Sequence, residues 1–271
     1  MKSALLKVAI SLVYLVPFSP AGFCQSTCVD EERQAAAVRA LRAQLHFDFP
    51  LQASPVPSLT DNIISLETKG RPPEAEAHLV SFYKMVPASY QLEGNKVVAE
   101  TIELDNDREW LAAVSHGGDS IYLLEGSNDP VTEFKRLTKD LHLQVADESA
   151  ALGVFDFFLK VTRGEEFRSH VVTDEMKLES VALEDFRLRF ATAKRRAAFS
   201  SWWASVPETM KKTLRPPRAS PVQDGFDVQY FFYSMGKVWS QNLFVRRDGT
   251  VVEGKPNVIF SGNSGSTSQP G

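Results

Sequence analysis

The chain has 271 residues, of which 43% are hydrophobic and 24% are charged, a balance typical of a globular protein rather than a disordered one. Its 34 acidic and 30 basic residues give a net charge of −4, which argues against a general nucleic-acid binder. The two cysteines, Cys24 and Cys28, stand only four positions apart and do not indicate a disulfide framework.

The first 24 residues are typical of a secretory signal peptide, which is cut away during export. Two lysines give the segment a positive start, and residues 8–18 form an apolar run. Two prolines close the run, and we expect them to leave an extended segment for a peptidase. The expected cut follows Ala21 or Cys24, between positions 21 and 25.

This leader predicts a secreted or periplasmic protein with no transmembrane segment in the mature chain. An uncleaved membrane anchor is the less favoured alternative, because a membrane-spanning helix needs about 20 apolar residues and the run here is shorter and closed by two prolines. Lipid attachment at Cys24 is less favoured, because Phe23 precedes it where the lipoprotein peptidase requires a small residue. Removing Lys2 and Lys7 from the 30 basic residues leaves 28 against 34 acidic ones, a net charge of −6.

The first half of the body mixes helical patterns with β-rich segments. Asp30 and its acidic neighbours stand in the first turn of a predicted helix, where the helix dipole favours negative charge. Two strands, 110–115 and 120–124, flank His116-Gly117-Gly118-Asp119, which is a signal for a tight turn. Before this hairpin we expect a helix over 28–46, a loop with three prolines over 49–57, a short strand over 63–68, a helix over 72–85 and a strand over 96–104.

In the second half, aspartates mark the starts of helices. Asp129, followed by Pro130, and then Asp147 are expected to cap two helices, and the second is expected to end near Gly164. The longest helical pattern covers 183–206 and changes phase near Ser200, where we expect a bend or break. An antiparallel meander follows, with strands expected over 226–235, 238–247, 250–253 and 258–260.

Helices interleaved with antiparallel hairpins predict an α+β fold, in which hairpins and a meander pack against several helices. We expect a single domain over 27–260, because a lone meander would need something to cover its apolar face. A boundary in the proline-rich stretch near 207–224 is the alternative. The Gly/Ser/Thr-rich residues 261–271 predict a disordered tail.

No metal or cofactor site is expected. The five histidines stand at least 26 positions apart, so no His-x-x-x-His pair can form on a helix. The shortage of cysteines excludes a thiolate site. Asp105, Asp107 and Glu109 alternate as calcium ligands do, but the central glycine of a calcium loop is not in place, which favours a solvated turn.

Three serine-containing patterns are similar to catalytic motifs but lack essential partners. Ser81 and Ser234 each begin a Ser-x-x-Lys pattern, which ends at Lys84 or Lys237, and neither Lys-Thr-Gly nor Ser-Asp-Asn accompanies them. Residues 115–119 contain serine, histidine and aspartate, but adjacent residues cannot converge into a triad. We interpret 115–119 as a hairpin turn that requires a positive φ at glycine.

The least ordinary feature is a concentration of positive charge. Residues 187–218 contain nine basic residues and one acid, Glu208, with two tryptophans among them. Such a segment can contact anionic membranes or polyanions, although a helix with aromatic residues inward and cations in water gives the same pattern. The candidate binding residues are Lys194, Arg195, Arg196, Trp202, Trp203, Lys211, Lys212 and Arg215.

The leading interpretation is an exported binding or accessory protein without catalytic apparatus. It would contact an anionic envelope component or an acidic protein through 187–218. The alternative is a hydrolase whose active-site residues converge only in three dimensions. A pocket with polar side chains meeting over it, His116 or His170 among them, would favour the hydrolase.

Overall fold

Helices and antiparallel strands alternate along the chain, which confirms the predicted α+β class. The computed structural model describes residues 21–45, 51–67, 80–87, 109–190 and 192–262. Within these ranges the helices are α1 (Ala21–Leu45), α2 (Pro57–Glu67), α3 (Pro130–Asp140), α4 (Glu148–Ser169), α5 (Glu175–Arg189), α6 (Thr192–Ser205) and α7 (Glu208–Lys211). The strands are β1 (Leu51–Pro55), β2 (Val80–Pro87), β3 (Trp110–Ser115), β4 (Ile121–Leu123), β5 (Val171–Val172), β6 (Arg218–Val222), β7 (Gly225–Ser234), β8 (Lys237–Arg246), β9 (Val251–Glu253) and β10 (Asn257–Ser261).

The strands form two antiparallel sheets. The N-terminal sheet has the order β1-β2-β3-β4. The C-terminal sheet has the order β10-β8-β7-β5, with β6 also paired to β7 and β9 to β8. Its centre is the long β7–β8 hairpin, in which Gly225 pairs with Arg246 and Ser234 with Lys237. The β7–β8 hairpin and β9 follow the predicted meander, whereas β10 returns to pair with β8.

The two sheets and their helices stack as five layers. Helix α1 covers the outer face of the N-terminal sheet, where Ala37 and Leu41 join a cluster with Tyr83 and Met85. Helices α2, α3 and α4 lie between the two sheets and contribute to the main hydrophobic cluster. Helices α5, α6 and α7 cover the outer face of the C-terminal sheet.

Helix α4 buries apolar residues against both sheets, while its Asp156 and Lys160 pair with each other at a partly exposed position. On one side, the Phe157 ring meets that of Phe82 from the N-terminal sheet edge-to-face at 5.7 Å. On the other side, Phe155 meets Tyr230 of the C-terminal sheet at 5.0 Å. Asp147 caps the helix as predicted, since its carboxylate accepts a hydrogen bond from the backbone amide of Ala150.

The structure corrects the prediction of three elements before residue 88. The predicted loop over 49–57 contains strand β1, which tolerates Pro55 because it lies at a sheet edge. The predicted strand over 63–68 is the end of helix α2, which begins at Pro57 and buries Leu59 and Ile63 one turn apart. The predicted helix over 72–85 is strand β2 from Val80 onward, because both of its faces are buried and leave no simple alternation.

Helix boundaries also differ from the predictions. Helix α1 begins at Ala21, so the segment expected to be extended around Cys24 is helical. Helix α4 continues past Gly164 to Ser169, with a kink at the glycine. The long pattern over 183–206 breaks at Phe190 rather than near Ser200, since Phe190 has extended backbone angles.

Two predictions concern the chain near its C-terminal end. The proline-rich stretch 215–221 contains strand β6, which pairs with β7. Ser261, assigned to the disordered tail, belongs to β10, and Gly262 packs so closely on Trp202 that an added Cβ would overlap the indole. The predicted strand over 96–104 and the tail from 263 lie outside the described residues.

None of the described helices combines the length and apolar character that crossing a membrane requires.

Replacing Phe157 with alanine is expected to lower the free energy of unfolding by about 3–5 kcal/mol, because a cavity would open between α4 and Phe82. Phe155→Ala is expected to cost a similar amount on the opposite face of α4. Leu188→Ala is the control, because this leucine is 79% exposed and should change the stability by less than about 0.5 kcal/mol. Urea unfolding followed by circular dichroism measures all three, and a Phe157 variant as stable as the Leu188 variant would contradict the layer assignment.

Candidate functional site

The structure separates the eight predicted binding residues into an interior group and an exposed group. Trp202 is only 2% exposed, and its indole N–H donates to the Gly236 carbonyl at 2.9 Å. Its ring meets that of Tyr233 edge-to-face at 5.5 Å. Trp202 is therefore a core residue of the outer helical layer and cannot contact a ligand at the surface.

Lys211 and Trp203 contact each other, and Lys211 also contacts two neighbouring acids. The Lys211 ammonium stands 4.3 Å from the centre of the Trp203 ring. It donates to Glu208 at 2.7 Å and lies 3.4 Å from Glu175. The hydrogen bond to Glu208 raises the pKa of Lys211 above its ordinary value. This lysine joins α7 to α5 and α6.

Arg195 also has a structural role. Its guanidinium donates to the backbone carbonyls of Arg187 at 3.0 Å and of Phe190 at 3.4 Å. These carbonyls end helix α5, where a cation satisfies free acceptors and complements the negative end of the helix dipole. Arg195 therefore closes α5 at the break before α6.

The remaining four predicted residues are exposed, and we call them the cationic surface: Lys194, Arg196, Lys212 and Arg215. Arg215 donates to the Gln229 side chain. Lys194, Arg196 and Lys212 have no ion pair within the part of the chain that the structure describes. The nearby arginines of α5 do have acids, since Arg187 pairs with Glu184 and Arg189 with Asp185.

A second candidate site lies beneath α1, where Ser81 of the first Ser-x-x-Lys pattern contacts His116 of the predicted hairpin turn. The Ser81 hydroxyl and the Nε2 atom of His116 are 3.2 Å apart, although 35 residues separate them in the chain. The antiparallel pairing of β2 with β3 explains this contact, because it sets Ser81 opposite Val114, near the loop that follows β3. Gly118 in that loop has the predicted positive φ, at 75°.

The first Ser-x-x-Lys pattern does not bring its serine and lysine side chains together. Ser81 shares a face of β2 with Tyr83, toward α1, whereas Lys84 lies on the opposite face, because side chains alternate along a strand. Lys84 instead forms an ion pair with Glu109. In the second pattern, Ser234 and Lys237 pair across the turn that joins β7 to β8.

The third place is a polar cleft of about 470 Å³ between α2, the N-terminal sheet and α4, which we call the glutamate cleft. Glu125 is half-buried in its wall. Burial raises the pKa of this carboxyl, the Glu109 carboxylate raises it further, and Lys84 acts in the opposite direction. A raised carboxyl pKa in a cleft is a recognised mark of acid–base function, although buried charge networks also produce it.

The kink in α4 makes room for Glu125. Gly164 has a φ of 82° inside the helix, a conformation that disfavours side chains with a Cβ. A Cβ at this position would also overlap the Glu125 carboxylate. No local sequence pattern indicates the glutamate cleft, because a glycine in a helical pattern predicts the end of a helix rather than a kink inside it.

Within the described ranges, no group of three or more histidine, cysteine, aspartate or glutamate side chains is arranged to hold a metal ion. Comparison of the chain with protein-family models, with curated proteins and with solved structures finds no match.

Replacing Glu125 with glutamine is expected to raise the free energy of unfolding at pH 7. Folding raises the pKa of Glu125 above the ordinary glutamate pKa of 4.5. The free energy of unfolding of the wild-type protein therefore falls as the pH rises above 4.5 and the buried carboxyl ionises. The variant cannot ionise, so its advantage should disappear as the pH falls below about 4. Urea unfolding at pH 4 and pH 7 measures the difference.

The control for this experiment is Glu179→Gln on the exposed face of α5, which should leave the stability nearly unchanged at both pH values. A Glu125 variant less stable than wild type at pH 7 would show that its charge is stabilising and would contradict the assignment.

Proposed function

We propose that the protein is an exported binding protein that engages an anionic component of the cell envelope through the cationic surface. One observation carries the proposal: Lys194, Arg196 and Lys212 are exposed and form no ion pair among the described residues, whereas Arg187, Arg189 and Lys211 in the same segment are paired with acids. A surface cation that forms no ion pair is more available to an external anion than a paired one.

The spacing of these cations favours an extended ligand. Lys194 and Arg196 lie near the start of α6, and Lys212 follows α7, whose Lys211 contacts Trp203 near the end of α6. A helix of 14 residues is about 21 Å long. Cations at both ends of such a helix suit a membrane surface or a polyanion better than a small molecule.

The binding should be electrostatic and sensitive to salt. Trp202 is buried and Trp203 is stacked beneath Lys211, so neither ring is free to enter the interface of a bilayer. Attraction between exposed charges is screened over about 8–10 Å at physiological ionic strength. The proposed contact is therefore adsorption to a charged surface and not insertion.

The triple variant Lys194→Gln/Arg196→Gln/Lys212→Gln is expected to bind vesicles containing phosphatidylglycerol at least about tenfold more weakly than wild type at low salt, since each cation near an anionic membrane contributes about 1 kcal/mol. Co-sedimentation measures the bound fraction. Wild-type binding should also fall as salt rises and be absent with pure phosphatidylcholine. Arg195 and Arg215 stay unchanged, because they bond within the fold.

The matched control removes three exposed lysines elsewhere, in the variant Lys135→Gln/Lys139→Gln/Lys255→Gln. It has the same change in net charge and should bind much as wild type does. Equal losses in the two triple variants would point to net charge alone and would remove the cationic surface from the proposal.

Export rests on the leader in the sequence. Expression of the full chain in a bacterial host should yield a periplasmic or secreted protein whose N-terminal residue is Gly22 or Gln25. Mass spectrometry of the intact protein identifies the cut. Replacing the apolar run with polar residues should keep the chain in the cytoplasm. If the wild-type chain is also found uncut in the cytoplasm, export is contradicted.

A further inference from the structure

The contact between Ser81 and His116 has the geometry of a nucleophile and its base. The two side chains are 3.2 Å apart, within hydrogen-bonding distance. His116 also lines a pocket of about 240 Å³ between α1 and the β3–β4 loop, which we call the α1 pocket. We propose that Ser81 and His116 hydrolyse small carboxylate-bearing esters whose acyl group enters the α1 pocket beside His116, which links this pocket to Ser81.

The imidazole of His116 is in a suitable state to accept a proton. Burial lowers its pKa below the ordinary value, and the Arg33 guanidinium lowers it further, while Asp30 opposes both. A neutral imidazole can act as a general base at neutral pH. Arg33 also donates to the backbone carbonyl of His116 at 2.9 Å, which positions the loop that carries the ring.

The reaction would proceed in two balanced steps. The Ser81 oxygen bonds to the ester carbonyl carbon, its proton moves to Nε2 of His116, and the carbon–oxygen bond to the alcohol breaks as the alcohol takes that proton. Water then gives a proton to His116 and its oxygen bonds to the acyl carbon. The Ser81 oxygen leaves as the acid forms and recovers the proton from His116.

The charges of the α1 pocket indicate the class of ester. Two arginines, Arg33 and Arg39, and two acids, Glu32 and Asp119, line it. Arg33 lies 3.6 Å from Asp30 and is largely buried. Arg39 is exposed and has no ion pair in the described part of the chain, so its guanidinium is free to bind a carboxylate through two parallel hydrogen bonds. The small volume restricts the ester to a short chain.

Hydrolysis of mono-4-nitrophenyl succinate, compared with neutral 4-nitrophenyl acetate, tests the inference. Wild type should hydrolyse the anionic ester with the lower KM. Ser81→Ala and His116→Asn should each lower kcat/KM at least about 100-fold, the lower limit expected for removal of a general base. Arg39→Gln should raise KM for the succinate ester more than for the acetate ester, because only the succinate ester has a carboxylate for Arg39 to bind.

Ser201→Ala, a serine on the exposed side of α6, is the matched control and should keep full activity. Thermal unfolding checks that each variant folds. A fluorophosphonate probe should also label the wild type at Ser81, as identified by peptide mass spectrometry. The proposal is overturned if wild type shows no hydrolysis above buffer, if the Ser81 variant retains it, or if the probe labels another residue.

These results are independent of vesicle binding. Loss of hydrolysis in the Ser81 variant with unchanged binding to anionic vesicles would support the catalytic pair without bearing on the cationic surface. The reverse pattern, with binding lost in the triple variant and no hydrolysis in any protein, would leave only the binding function.

Discussion

Burial of helix α4 between two sheets is the constraint on which the other layers depend. Phe155 and Phe157 point to opposite sheets, so a single helix supplies core to both. Lys160, Glu165 and Glu166 of the same helix line the glutamate cleft, and Asp156, which lies between the two phenylalanines, pairs with Lys160. The helix that joins the two sheets thus also forms part of the wall of this cleft.

The outer helical layer shows how a cationic sequence can produce little binding surface. Its aromatic residues cover the C-terminal sheet, where Trp202 hydrogen-bonds a turn carbonyl and packs on Tyr233. Arg195 and Lys211 then fix helix ends and helix contacts. The aromatic residues of 187–218 pack inward, while its exposed cations include Lys194, Arg196, Lys212 and Arg215, whose role in binding stays a prediction.

The sequence was most informative where local chemistry decides the structure. The caps at Asp129 and Asp147 and the turn at Gly118 were correctly predicted, because each depends on a few neighbouring residues. Strand β2 was mistaken for a helix because both of its faces are buried, which removes the period of two. The contact of Ser81 with His116 depends on the pairing of β2 with β3, which no local pattern encodes.

Side chains alternate between the two faces of β2, so the register of this one strand positions both Ser81, beside the α1 pocket, and Lys84, in the glutamate cleft. Ser81 faces α1, whereas Phe82 and Lys84 face the layer between the sheets. A slip of one residue would exchange the two faces, placing a phenyl ring under α1 and a hydroxyl in the central core. Such a chain would lose the Ser81–His116 contact and the Lys84–Glu109 ion pair together. A slip in the register of β2 would therefore disrupt both the catalytic pair proposed at the α1 pocket and the glutamate cleft in the same molecule.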